Sequence, residues 1–176
     1  MNRIKLENID NIYVTSDHHF SHKKICEYCS RPFNSTEEMN ESLIKSWNEI
    51  VPEEGIIFHL GDISFKPNEL ITLLYRLNGK IYFLSGNHDL DIKNVSSLID
   101  KNKFELLDDV VQLKVGGFEF ILCHYPLMSW PGIGREVLHL HGHTHNTLKY
   151  HKLAKDIGVD TNNYKPYKLK EVFNEQ

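Results

Sequence analysis

Residues 80–89 read Lys80-Ile-Tyr-Phe-Leu-Ser-Gly86-Asn87-His88-Asp89, a short apolar run that stops on a glycine and then on three polar side chains. A run of this length closed by a turn residue predicts a strand, here over 80–85. The same pattern occurs twice upstream: residues 56–60 end on Gly61-Asp62, and residues 12–16 end on Asp17-His18-His19. Two amphipathic helices separate them. Ser35 and Glu38 form a capping box for a helix over 36–50, with Met39, Leu43, Trp47 and Ile50 as its apolar stripe. Pro67 opens a second helix over 67–77, with Leu70, Leu73, Leu74 and Leu77 on one face. The first half therefore reads βαβαβ with parallel strands, and a short helix is expected near 95–101.

From residue 109 the rhythm changes. Residues 110–115 and 118–123 read as two strands joined at Gly116-Gly117, a strong hairpin signal. Further strands are expected over 137–141 and about 155–160, with a short helix from Leu169 to Phe173. Two packed sheets with helices outside follow from this order, in one domain spanning residues 1–176. Open α/β folds bind ligands beyond the carboxyl ends of their strands. Asp17-His18-His19, Gly61-Asp62, Gly86-Asn87-His88-Asp89, His124 and Gly142-His143-Thr144-His145 all fall at such ends, so five distant loops can converge on one site.

Composition narrows the classes. The chain has 176 residues, 40% hydrophobic and 25% charged, which suits a globular protein with one sizeable core. Its net charge is −4 without a basic block, so stable binding to duplex nucleic acid is not expected. No segment approaches the ~18 uninterrupted apolar residues of a membrane span. Three cysteines without a secretory segment read as reduced thiols in a cytoplasm. Cys26 and Cys29 read as small apolar residues on one helical face, and Cys123 as core.

The motif residues are imidazole, carboxylate and carboxamide, with no thiolate among them. Such donors suit Mn, Fe, Zn, Co or Ni. Asp17 and His19 stand two apart in a segment read as extended, which turns both side chains one way, and His143 and His145 share that spacing. Asp62 offers a carboxylate that can bridge two cations, and Asn87 a neutral oxygen. Two cations about 4 Å apart clamp a phosphate and activate a water, which points to phosphoester hydrolysis. Taken singly, His18, His22, His59, His139, His141 and His151 read as hydrogen-bonded core or surface residues.

These five motifs, in this order over residues 13–145, resemble the signature of the calcineurin-like metallophosphoesterases. The Arg31-Pro32-Phe33 segment and the short length resemble its small bacterial and phage members. The resemblance implies a four-layer α/β/β/α sandwich of two mixed β-sheets flanked by helices. It implies two divalent metal ions, manganese first. Asp17, His19, Asp62 and His145 would hold one; Asp62, Asn87, His124 and His143 would hold the other. His88 matches the family's non-ligand catalytic histidine, which stabilises the transition state or protonates the leaving oxygen. The reaction implied is hydrolysis of a phosphomonoester or phosphodiester, including nucleotides and cyclic nucleotides, by a metal-bridging hydroxide. One position departs: where protein phosphatases of the family carry an Asp that orients this histidine, this chain has Phe65.

Contacts to a small phosphorylated substrate are expected from Arg31, His22, Trp130 and Arg135, with His18, Lys23, Lys24 and Tyr125 also near the motifs. Arginine can grip phosphate in a fork, and Trp130 can stack on a base. An alternative in a different class is a catalytically silent scaffold on the same fold, binding a protein partner. It is disfavoured because His88 and all seven expected ligands are present. Asp17-His18-His19 also matches the triplet of the DHH phosphoesterases, but those proteins carry acidic motifs upstream, and only sixteen residues precede it here.

Overall fold

The computed structural model describes residues 1–172. In chain order the elements are β1 (Asn2–Leu6), β2 (Ile12–Thr15), α1 (Ile25–Tyr28), α2 (Thr36–Ile50), β3 (Ile56–His59), α3 (Pro67–Arg76), β4 (Lys80–Phe83), α4 (Ile92–Ser96), β5 (Phe104–Leu106), β6 (Val110–Val115), β7 (Phe118–Cys123), β8 (Leu138–His141), β9 (Ala154–Asp156) and β10 (Tyr167–Lys168). They form two mixed sheets of five strands, ordered β10-β2-β3-β4-β5 and β1-β6-β7-β8-β9. In the first sheet only β10 runs antiparallel to its neighbour.

The first sheet is buried on both faces, which is why its strands are unbroken apolar runs. Ile12, Val14, Phe58, Leu60 and Leu84 face Val111, Leu113, Phe120, Leu122 and Leu140 of the second sheet. Tyr13, Ile57, Ile81 and Phe83 point the other way, into the apolar stripes of the helices. There Met39, Leu43 and Trp47 of α2 are fully buried, and Leu70, Leu73 and Leu74 line α3. Trp47 also donates its ring N–H to the carbonyl of Asn78 at 3.0 Å. Truncating it to alanine would cost about 3–5 kcal/mol.

The capping box at α2 forms with a shift. Ser35 Oγ accepts from the Glu38 N–H, but the Glu38 carboxylate accepts from the Asn34 N–H, one residue further out. The Gly116-Gly117 hairpin has φ of 55° and 86°, which only glycine takes without strain at two successive positions.

The outer face of the second sheet is covered differently. Leu138-His139-Leu140-His141 puts its leucines between the sheets and its histidines outside. There His139 donates from Nδ1 to the Ile121 carbonyl and accepts at Nε2 from the Leu127 N–H. Trp130, Val137 and Ile121 close this face beside a 3-10 turn at Ile133–Arg135.

Three local expectations need correction. The short helix lies at Ile92–Ser96 rather than 95–101, because Asp91 and the apolar pair Ile92 and Val95 set its start. The strand expected to reach residue 160 stops at Asp156, and a 3-10 turn at Val159–Thr161 follows. Leu169–Glu171 is likewise a 3-10 turn, and Phe173 lies outside the described residues. The polar N-terminal segment Asn2–Leu6 pairs with β6 as an edge strand, and its alternation of half-buried and exposed residues is the mark of that edge.

Candidate metal centre

The two sheets meet at their carboxyl ends. Ser16, just past β2, bridges Gly158, just past β9, and the Asp17 N–H donates to the Gly61 carbonyl. The loops that leave these ends turn through the left-handed region. Asp17, His19, Asp62, His143 and His145 all have φ between 45° and 68°. This corrects the extended backbone expected for the Asp17/His19 and His143/His145 pairs. The side chains converge through tight turns, a conformation that Asp and His tolerate better than branched residues.

Asp62 lies at the middle. Its Oδ2 is 3.6 Å from His19 Nε2, 3.7 Å from His124 Nε2 and 4.0 Å from His88 Nε2. Its Oδ1 accepts the His88 backbone N–H at 2.9 Å. On one side, donor atoms of Asp17, His19 and His145 lie within 4.8 Å of one another, as do those of Asp17, Asp62 and His124. On the other side, Asn87 Oδ1 is 3.0 Å from His124 Nε2 and 2.9 Å from His143 Nδ1. His124 donates from Nδ1 to the Leu60 carbonyl at 2.7 Å, so its Nε2 turns a lone pair inward.

Close packing enforces this geometry at two glycines. A Cβ on Gly86 would lie 2.2 Å from Asp62 Oδ1, and one on Gly142 would lie 2.4 Å from Asp17 Oδ2. Asp89, expected only near the centre, anchors the Asp62 turn: its carboxylate accepts the N–H groups of Asp62, Ile63 and Gly86.

The electrostatics are those of a site built for cations. Burial, with Asp156 and Asp62 nearby, pushes the Asp17 carboxyl up to about 8. Burial also raises Asp62 and drives His19 far below its ordinary range, and it lowers His124 to about 4. Burial opposes charge on His145 too, but its hydrogen bond to Asp160 carries it up to about 10. Asp17 Oδ1 and both nitrogens of His19 are buried with no hydrogen-bond partner. Such groups are costly unless something satisfies them. A divalent cation would satisfy such donors, and the donor set fits one.

His88 projects at the mouth with its side chain 41% exposed. Its ring lies 5.0 Å from Phe65 and 5.4 Å from His19. His22 also reaches this rim, stacked on Phe65 at 3.8 Å and 6.3 Å from His88. Tyr125 stands on the far side, 4.9 Å from His124 and 4.8 Å from His143.

Three expected substrate contacts are corrected. The Arg31 side chain is fully buried, and its fork is spent on Asp160 and on the carbonyls of Asp17 and His18. Trp130 is buried, with its ring N–H donated to the Val137 carbonyl. Arg135 lines a groove with Phe118, Glu119 and Leu138, at the opposite strand ends from the motifs. His18 is core as well, with its Nδ1 3.0 Å from His59 Nε2. Asp160 was missed: in Ile157-Gly158-Val159-Asp160 a valine separates the glycine from the acid, unlike the adjacent pair of Leu60-Gly61-Asp62.

Two mixed sheets with this donor set at their strand ends describe a metallophosphoesterase. More narrowly, the chain belongs to the calcineurin-like phosphoesterase family, whose model matches residues 11–174. An uncharacterized protein of Methanocaldococcus jannaschii is 34% identical over 90% of this chain and 86% of its own length. The gene 66 protein of Mycobacterium phage D29 is 27% identical over 80% of this chain and 81% of its own. Among solved structures, a protein of unknown function from Aquifex aeolicus superposes with a TM-score of 0.72, covering 94% of this chain and 98% of that one at 22% identity. A structure described as a novel archaeal phosphodiesterase shares the fold with a TM-score of 0.51, at 19% identity over 84% of this chain and 81% of that one. Among the described residues no helix is long and apolar enough to cross a membrane.

Proposed function

We propose that the chain hydrolyses a phosphomonoester or phosphodiester of a small molecule with the help of two divalent cations, manganese first. Nucleotides and cyclic nucleotides are the leading substrates. The observation that supports this most is the buried Asp62 carboxylate, set between the Asp17, His19 and His145 donors and the Asn87, His124 and His143 donors. Bound there, the cations would supply Lewis acidity toward a phosphoryl oxygen and make a water nucleophilic at neutral pH.

The side chains supply the rest. His88 Nε2 sits at the exposed mouth, within 4.0 Å of the central carboxylate, and donates a proton to the departing oxygen. Phe65 and His22 pack beside it, so aromatic contacts help to place its ring. Asn87 brings an uncharged donor to the more exposed side, which keeps that half of the centre from becoming too anionic for a phosphate to approach. The open rim suits a small or accessible ester.

The test is a chelated and metal-reconstituted panel: nitrophenyl phosphate, its bis ester, and 2′,3′- and 3′,5′-cyclic nucleotides. Manganese-dependent turnover of one class is expected. Metal-loaded protein that turns over none of them would overturn the proposal, and a stable protein complex from the same preparation would favour the scaffold.

A further inference from the structure

We propose that Asp160, gripped by Arg31, is the positioning residue that makes the Asp17, His19 and His145 half the tighter of two cation sites. The claim rests on the dinuclear reading for its metal measurement and stands without it for its hydrogen-bond measurement.

Asp160 lies in the 3-10 turn that follows β9. Its Oδ2 is 2.7 Å from His145 Nδ1. A carboxylate accepts, so Nδ1 keeps its proton and Nε2 would be the nitrogen left to hold a cation. The carboxylate is itself fixed. Arg31 donates from Nε to Oδ1 at 2.7 Å and from Nη2 to Oδ2 at 2.8 Å, a two-pronged pair in a buried setting.

The same guanidinium then reaches the other loop of this half. Nη2 donates to the Asp17 carbonyl at 2.7 Å, and Nη1 to the His18 carbonyl at 2.8 Å. One side chain therefore ties the turn that carries Asp17 and His19 to the carboxylate that orients His145. These two ligand loops are 126 residues apart in sequence at the His143–Asp17 contact, yet share a single rigid clamp.

The other half is built more loosely. Asn87 and His143 are exposed, and Asn87 is a neutral amide. Asp17 and His19 are buried and already held in place, so a cation there would meet donors whose ordering cost is already met. Cys29 also lies within 4.8 Å of His145 and Asp160 donor atoms. A third cation is disfavoured there, because Arg31 and His145 Nδ1 already take both oxygens of Asp160.

Manganese titration of the whole chain, followed by calorimetry and electron paramagnetic resonance, reads the two sites. Wild type should fill in two steps. Asp160→Asn, and separately Arg31→Lys, should weaken the tighter step about 10–100-fold and leave the weaker one in place. Unchanged steps, or equal weakening of both, in variants with native circular dichroism would overturn the proposal.

If neither variant folds, the metal-free wild type still decides it. Proton spectroscopy should show a slowly exchanging, downfield Nδ1 proton on His145, the mark of its 2.7 Å bond to the Asp160 carboxylate, and a freely exchanging one would overturn the proposal. Protein that binds manganese in two steps but hydrolyses nothing would sink the phosphoesterase reading and spare this one.

Discussion

His88 and Asp62 are joined twice. The backbone N–H of His88 donates to Asp62 Oδ1 at 2.9 Å, and its ring Nε2 stands 4.0 Å from Oδ2 of the same carboxylate. The residue proposed to handle the leaving group's proton is thus built onto the proposed bridging ligand. This relation separates the consequences of altering each.

His88→Gln should lower kcat by about 10²–10⁴ with little change in metal content, since the side chain is not one of the expected ligands. Asp62→Asn should lose metal as well as turnover. Parallel measurement of bound manganese and nitrophenyl ester hydrolysis distinguishes the two. Loss of metal from the His88 variant would contradict the division of roles.

Gly86→Ala places a Cβ against both the carboxylate and the backbone of Asp62. The Asp62 turn is pinned by three hydrogen bonds to Asp89 and cannot yield freely. We expect a destabilisation of about 1–3 kcal/mol and a displaced bridging oxygen. A urea titration and a metal assay on the variant check this, and an unaltered metal affinity would speak against it.

Acid should destabilise the metal-free protein through its core histidines. Burial lowers His59 to about 3 and His139 to about 4, so both are neutral in the folded chain. Unfolded, each titrates near 6.5. Their contribution is complete above pH 6.5 and is lost as pH falls toward those folded values, by about 1.4 kcal/mol per pH unit for each group. Urea midpoints of chelated protein at pH 7 and pH 5 measure it. Asp17 and His145, both raised, oppose this trend in the midpoints, so ring shifts of the folded chelated protein that change between pH 7 and pH 5 would show that these rings are not buried as neutral species.

Chelation should lower the thermal midpoint of protein prepared with metal. A cation at 100 times its dissociation constant stabilises by about 2.7 kcal/mol. Scanning calorimetry with graded manganese should raise the midpoint continuously. A midpoint indifferent to manganese would remove the basis for satisfying His19 and Asp17 by a cation.

Much of this molecule was legible in its sequence, for definable reasons. α2, β6 and β7 lie where periodicity and glycine pairs put them, because amphipathic stripes and hairpin turns are local signals. The convergence of the motif residues was legible because each ends an apolar run. The backbone that achieves it was not: a two-residue spacing looks alike whether the chain is extended or left-handed. The roles of Arg31 and Asp160 were also hidden, since a buried ion pair 129 residues apart leaves no local trace. His139 was read correctly as hydrogen-bonded, but only the fold shows that it replaces apolar cover on an outer sheet face.

The left-handed turns at Asp17, His19, Asp62, His143 and His145 bear on how such a protein would lose its chemistry. Each turn holds a non-glycine residue where glycine would rest more easily, at a cost of about 1–3 kcal/mol. Replacing any one of them by glycine removes a donor and relaxes the chain in the same stroke. In the metal-free chain, drift away from catalysis therefore relieves backbone strain on this architecture. A descendant stripped of its ligands would inherit a less strained backbone with an idle mouth, ready to be put to use as a binding surface.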